Sequence, residues 1–519
     1  MSETASRTQR TIQNSKVSLI LFLIQILVGF YSRKVFLNYL GDEVIGLNTT
    51  LGNILSFLNL AELGIGIAMA TSLYKPIHDN DRERICEIIT IQGYLYKRIA
   101  ILICILSIPV LCTIPFIFPS TNCGTAYIYT AYIVFLSGSL FSYLWNYRQI
   151  LIQADQKNFK LMPWIHAARY TKVFTQIALL KFSPLGIWGW IGAEMAGNIV
   201  NVFVINHVMS KEYPWFRSSS TNPKFLLSKY KDLIKKTKQL FIHKISLFVL
   251  NQTSPLIIYS FVSLSMVTYY GNYMMLIGYV LILLKAIFDG MGASIGNLVS
   301  DNNHSHTLEV FWELFSSRVW ISGIACFALY VSIGSFISIW IGEKYVLSNQ
   351  TLILLIFNMY ISATRSIVES FKEAYQLFAD IWAPIAEATI NLSCSILFGY
   401  LWGLNGVILG SNLSLVFIVL LWKPYYTFRK GLKASYIKYY LQYTLHALVQ
   451  ILCAYGIITM INSFGFIQEK YLHFILSSLL AISMFATITF GIFYIFTKGM
   501  KMFALRIRHI IYQKNQIFI

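Results

Sequence analysis

The sequence is poor in charge. Only 12% of its 519 residues are Asp, Glu, Lys or Arg, where a soluble globular chain carries about 25%. With 56% hydrophobic residues and a mean hydropathy of +0.60, that scarcity excludes a soluble enzyme and leaves a polytopic membrane protein. Carboxylates are scarcer still, 22 against 41 Lys and Arg, for a net charge of +19. In a soluble chain this excess would suggest nucleic acid, but no groove-reading or RNA-stacking motif is present. Basic loops on the cytoplasmic side of a membrane account for it instead. No G-x-x-x-x-G-K-[ST] run occurs, which excludes an ATP site of that type. No H-E-x-x-H or comparable zinc spacing occurs, and His304 and His306 are the nearest thing to a histidine cluster. The seven cysteines, Cys86, Cys104, Cys112, Cys123, Cys326, Cys394 and Cys453, form no C-x-x-C pair. They read as small buried hydrophobes.

Long apolar runs are what the chain has in quantity. At about 20 residues per span, fourteen helices are predicted, over 17–39, 44–74, 91–118, 126–152, 161–183, 186–208 and 242–264, then 270–299, 318–341, 351–375, 383–402, 405–422, 437–461 and 471–497. No small-residue cleavage site follows the first run, so it reads as a retained helix. Trp340, Trp382, Trp402 and Trp422 mark span ends as interfacial anchors. The basic residues collect on one side: the N-terminal tail, Lys75 to Arg84, Lys157, a dense run over 211–238, Lys423 to Lys433, and the C-terminal tail. The opposite side holds little beyond Lys181, Lys344 and Lys470. Both termini are therefore expected in the cytoplasm. The fold class is all-α, with an N-terminal lobe at 1–209, a basic linker at 210–239, a C-terminal lobe at 240–423, and an extra helix pair with a basic tail at 424–519.

The most informative stretch is 40–81. The predicted second helix carries one ionisable residue, Glu62, more than two turns from either end, followed by the small residues Gly64, Gly66, Ala68 and Ala70. A carboxylate at that depth costs about 2.5–3.5 kcal/mol on insertion scales, so it should meet a polar partner or cavity. The run reads LG-x(4)-GL, then L-x-x-A-E-L-G-I-G, then S-L-Y-K-P, then D-N-D. In this pattern it resembles the second membrane helix of Wzx-type polysaccharide flippases, in the multidrug/oligosaccharidyl-lipid/polysaccharide (MOP) exporter superfamily. The resemblance implies a two-lobed, MATE-like fold in a bacterial inner membrane. It implies a substrate of sugars on a polyprenyl diphosphate, moved by alternating access around a cationic central cavity for capsule, O-antigen or exopolysaccharide assembly. It also implies drive by an ion gradient or potential, with no cofactor beyond a coupling proton or sodium ion, and contact with other polysaccharide-assembly proteins. An ion-coupled small-molecule exporter of the same superfamily is the alternative. A glycan polymerase or ligase would need a long outer loop with catalytic residues, and every predicted outer loop is short.

Charges at membrane depth are the candidate site. The cations are Arg33, Lys34, Arg169, Lys172, Lys285 and Arg365; the anions are Glu62, Glu194, Asp289 and Glu369, with Glu373 and Glu387 nearer the cytoplasmic face. Six unpaired cations would cost on the order of 18 kcal/mol in lipid, so they pair, snorkel or line water. Arg33, Arg169, Lys172, Lys285 and Arg365 are candidates to bind the diphosphate, since Arg forks onto phosphate and Lys offers a point charge. Lys285 with Asp289, and Arg365 with Glu369, stand four apart and are equally readable as structural ion pairs. Arg169 and Lys172 have no acid on their own helix, though Glu194 on the next could pair with one of them. Glu62, Glu194, Asp289 and Glu369 are the coupling or charge-pairing carboxylates. Pro255, after Asn251, Gln252, Thr253 and Ser254, is expected to kink helix 7 and serve as a hinge.

Overall fold

The computed structural model describes residues 7–517 except 63–64, 120, 122, 231–247, 251, 289–291, 302 and 464–470. Every regular element among them is helical, and they form two compact units, Met1–Thr268 and Tyr269–Ile519.

The first unit opens with α1, Arg7–Leu58, bent at Gly41, whose φ of +81° suits glycine. The bend divides the first two predicted spans. Just past it Gly46 lets the backbone of Leu264 approach; a Cβ there would stand 1.9 Å from the Leu264 carbonyl oxygen. The predicted second span is not continuous. A 3₁₀ turn, Asn59–Glu62, ends α1, and α2 restarts at Ile65–His78. Asp81 caps α3, Arg82–Ile117, by accepting from the Arg84 amide. Next come α4, Thr125–Leu144, the short α5, Gln149–Ala154, and a packed hairpin of α6, Asn158–Phe182, with α7, Gly186–Glu212. The core of the unit gathers Leu47, Leu51, Met69, Ile89, Tyr132 and Leu161 from these helices.

The predicted basic linker is partly ordered. Asn222 caps α8, Pro223–Lys229, and residues 213–230 lie strapped along one end of the unit. Tyr213 donates to Asp155, the Ser219 amide donates to Thr90, and Lys229 and Tyr230 both reach Glu87. Pro255 stands in the first turn of α9, Ser254–Phe261, where its missing N–H costs no helical hydrogen bond.

The second unit takes in most of α10, Leu264–Phe288, then α11, Gly292–Ser300, α12, His304–Ile341, and α13, Asn349–Ala374. Helix α14, Trp382–Ser414, turns back on itself at Gly403, φ +57°. Its halves pack through Gly406 and Gly410, where a Cβ would meet the Phe398 carbonyl and the Ser395 amide at 1.8 and 2.3 Å. A π-helical stretch, Leu415–Trp422, continues it. Then come α15, Lys423–Thr427, a second π turn, Phe428–Leu432, α16, Tyr436–Ser463, α17, Tyr471–Phe496, and α18, Lys498–Ile517. Rings of Phe311, Phe315, Phe371, Phe428 and Tyr439 form its core.

Nine described helices are long and apolar enough to cross a membrane. Two of these, Gln13–Leu58 and Trp382–Leu432, each supply two predicted spans, through the bends at Gly41 and Gly403. The hairpin α6–α7 is less apolar because α6 carries Lys160, Arg169, Lys172 and Lys181. The predicted spans fall largely on described helices; 242–247 and 251 of the seventh lie outside the described residues, and its described part includes the eight-residue α9. Three of the segments predicted to be cytoplasmic, the N-terminal tail, the turn after 152 and the start of the linker, meet through side chains. Arg10 and Tyr213 converge on Asp155, and Lys181 separately donates to the Tyr31 hydroxyl.

Candidate functional site

In the first unit the α6–α7 hairpin holds a charged group between its two helices. Lys172 Nζ lies 2.7 Å from Glu194 Oε1, and Gln176 Nε2 donates to Glu194 Oε2 at 3.0 Å. The lysine stem runs over Gly197, where a Cβ would stand 2.3 Å from Lys172 Cδ. Lys172 is thereby neutralised, and of the two cations predicted on this helix only Arg169 is left over. Arg169 is exposed and forms no ion pair with any described residue. One residue from it Tyr170 contacts His166 and donates to the Leu21 carbonyl at 3.2 Å, which seats this part of α6 on α1. Arg33 is half-buried, with Nη2 donating to the Thr268 carbonyl at 3.3 Å; Lys34 beside it is exposed.

Glu62 closes the 3₁₀ turn and accepts from two phenols, Tyr96 at 2.7 Å and Tyr143 at 2.8 Å. The two rings meet edge to face at 5.4 Å. The interruption of the second span is what carries the carboxylate onto α3 and α4. Its donors are neutral, and no described cation pairs with it. Among the described residues, then, Glu62 is held by hydroxyls and not by a salt bridge.

In the second unit, Arg365 and Lys423 face Glu369 and Glu387. Arg365 Nη2 is 2.6 Å and Lys423 Nζ 3.0 Å from Glu369 Oε1; Glu387 lies 3.8 Å from Arg365 and 3.4 Å from Lys423. Two cations meet two carboxylates, so the cluster is balanced. Lys285 is exposed in the last turn of α10. Asp289, its expected partner, lies outside the described residues.

No family model matches the sequence, and no curated protein does. Solved structures do match. The chain aligns with the lipid II flippase MurJ, in an inward closed conformation, over 92% of its length and 98% of MurJ's, with a TM-score of 0.65 and 16% identity. An inward-facing MATE multidrug transporter of the MOP superfamily aligns over 80% and 98%, with a TM-score of 0.53 and 14% identity. The Vibrio cholerae MATE transporter VcmN, as a point mutant, aligns over 83% and 99%, with a TM-score of 0.55 and 14% identity. The chain shares the fold of these solved structures.

Within that fold several charged residues escaped the sequence reading. Asp155 accepts from Arg10, Lys157 and Tyr213. Burial, then the Asp155 carboxylate, hold the Tyr213 phenol well above its ordinary pKa, so it stays a donor. Arg318 is fully buried, donating to Ser366 and to the Phe288 carbonyl at 3.1 Å each, with its guanidinium 4.8 Å from the Phe288 ring centre. The predicted span began at Arg318, which made it look like an end residue. The helix starts at His304, and the apolar spacing of Val310, Phe311, Leu314, Phe315 and Val319 was the signal for that earlier start.

Proposed function

We propose that the chain is a flippase moving polyprenyl-diphosphate-linked oligosaccharide units from the inner to the outer leaflet of a bacterial inner membrane, for capsule, O-antigen or exopolysaccharide assembly. The likeness to a lipid II flippase carries this reading, since it extends over 92% of the chain, against 80–83% for the two MATE transporters. The motif at 40–81 and the exposed Arg169 agree with it. Arg169 takes the diphosphate in the first unit, with Lys172 held ready beside it by Glu194. Arg365 serves its own carboxylates. A proton or sodium gradient drives the cycle, and Glu62 is the residue we assign to the coupling ion. The second reading, a multidrug-type exporter, rests on the fold shared with the MATE proteins.

The test is Arg169→Ala against Arg169→Lys in cells, with protein level measured. Arg169→Ala should abolish surface glycan and leave lipid-linked precursor inside. Arg169→Lys keeps the charge without the fork, so partial function is expected. Normal glycan in Arg169→Ala would remove the diphosphate role. Normal glycan in cells lacking the chain, together with raised drug sensitivity, would favour the exporter.

A further inference from the structure

Two apolar helical segments of membrane length, Trp382–Leu432 and Tyr436–Ile461, are separated by three residues. A connection that short between two spans stands at the bilayer surface. It is strongly basic. Arg429, Lys430 and Lys433 are all exposed, and no described carboxylate pairs with any of them. The sequence around it is bare of acid, for residues 388–468 contain no Asp or Glu. The cations are also fixed in place. Lys433 is in the left-handed conformation, φ +46°, and the Ala434 amide closes back on the Phe428 carbonyl at 3.2 Å. Gly431 lies against Tyr375, whose ring a Cβ would meet at 2.8 Å. Phe428, Arg429, Lys433, Ala434, Ser435 and Tyr436 line an open cavity of about 640 Å³.

Aromatic side chains surround this corner. The ring of Tyr425 lies 5.0 Å from that of Tyr436 and 5.6 Å from the Arg429 guanidinium, and Trp382 packs on Trp422 at 4.5 Å. Such a belt sits at headgroup level. From the corner, one face of α16 presents Ile437, Leu441, Leu445, Leu448, Leu452 and Tyr455, all exposed. That stripe is about 27 Å long at 1.5 Å per residue, close to the hydrocarbon thickness of about 30 Å.

We propose that this corner binds the phosphate of an anionic glycerophospholipid headgroup, with the acyl chains lying along the α16 stripe. Arg429 supplies a forked donor and Lys433 a point charge. The proposal is independent of what the protein transports.

The experiment is native mass spectrometry of the purified full-length protein with phosphatidylglycerol or phosphatidylethanolamine. Phosphatidylglycerol should be the lipid retained. Losing a surface cation should weaken retention about fivefold, so Arg429→Gln with Lys433→Gln should lower it roughly 30-fold. Lys430→Gln, in the same turn but outside the cavity, should lower it clearly less than either cavity substitution alone. All three residues are exposed, and an unchanged thermal midpoint confirms that the variants fold. An equal loss in Lys430→Gln would reduce the effect to diffuse surface charge. Equal retention of both lipids would remove headgroup recognition. Displacement of the lipid by inorganic phosphate alone would make the cavity a free-phosphate site. Any of these results overturns the proposal.

Discussion

Lys172 illustrates how a lysine is held between two closely packed helices. Its stem lies where Gly197 has no side chain, its ammonium meets Glu194, and Gln176 fixes the other carboxylate oxygen. Removing one partner of a poorly solvated pair leaves the other uncompensated, so Glu194→Ala should destabilise the protein by about 2 kcal/mol. Removing both should recover part of the loss. Gly197→Ala should resemble Glu194→Ala, because the new methyl displaces the stem that delivers the ammonium. Thermal unfolding of the detergent-solubilised variants measures all three. A silent Glu194→Ala would mean that the pair holds nothing. The sequence offered Glu194 as a partner for Arg169 or Lys172 without choosing, because the choice is made by how the α6–α7 hairpin closes. Glu62 was more legible. A lone carboxylate in an apolar run had to meet polar groups, but Tyr96 and Tyr143, 34 and 81 residues away, could only be found by folding the chain.

Helix α18 is the element the sequence undersold. It read as a basic tail, yet it packs along α12. Met500 is fully buried, and Gly499 lies so close that a Cβ would stand 2.1 Å from the Trp312 carbonyl oxygen. Arg506 reaches Glu313, a carboxylate with 2% of its side chain exposed, at 2.7 Å. Truncation after Thr497 should therefore cost about 3 kcal/mol or more by stranding Glu313. Glu313→Gln in the truncated chain should restore part of that. Protein abundance and thermal midpoint check both, and an indifferent truncation would leave α18 dispensable. Spans were legible because an apolar run of membrane length has few alternatives. The 213–230 strap and α18 were not, since a short basic stretch beside a membrane is read as solvated until its acid is known. Here the acids were Glu87, Asp155 and Glu313, each far away in the chain or placed in a supposed loop.

For the whole molecule, the sidedness of its +19 charge is the property to test. Reporter fusions at Trp215 and Asn349 should report opposite sides, Trp215 in the cytoplasm and Asn349 outside. The reverse pattern would invert the direction of transport. A chain of this kind also has little freedom to change length. A span matched to the bilayer cannot discard an extra residue into a loop, and the π-helical stretch at Leu415–Trp422 absorbs one as a wider turn instead. That stretch leads directly into Lys423, which faces Glu369 and Glu387. Deleting Val419 would return the turn to α-helical geometry and leave Lys423 facing both acids, so the ion pairs should survive the loss. In evolutionary terms the wide turn is a slot where one apolar residue can come or go without unmaking the ion-pair cluster beyond it.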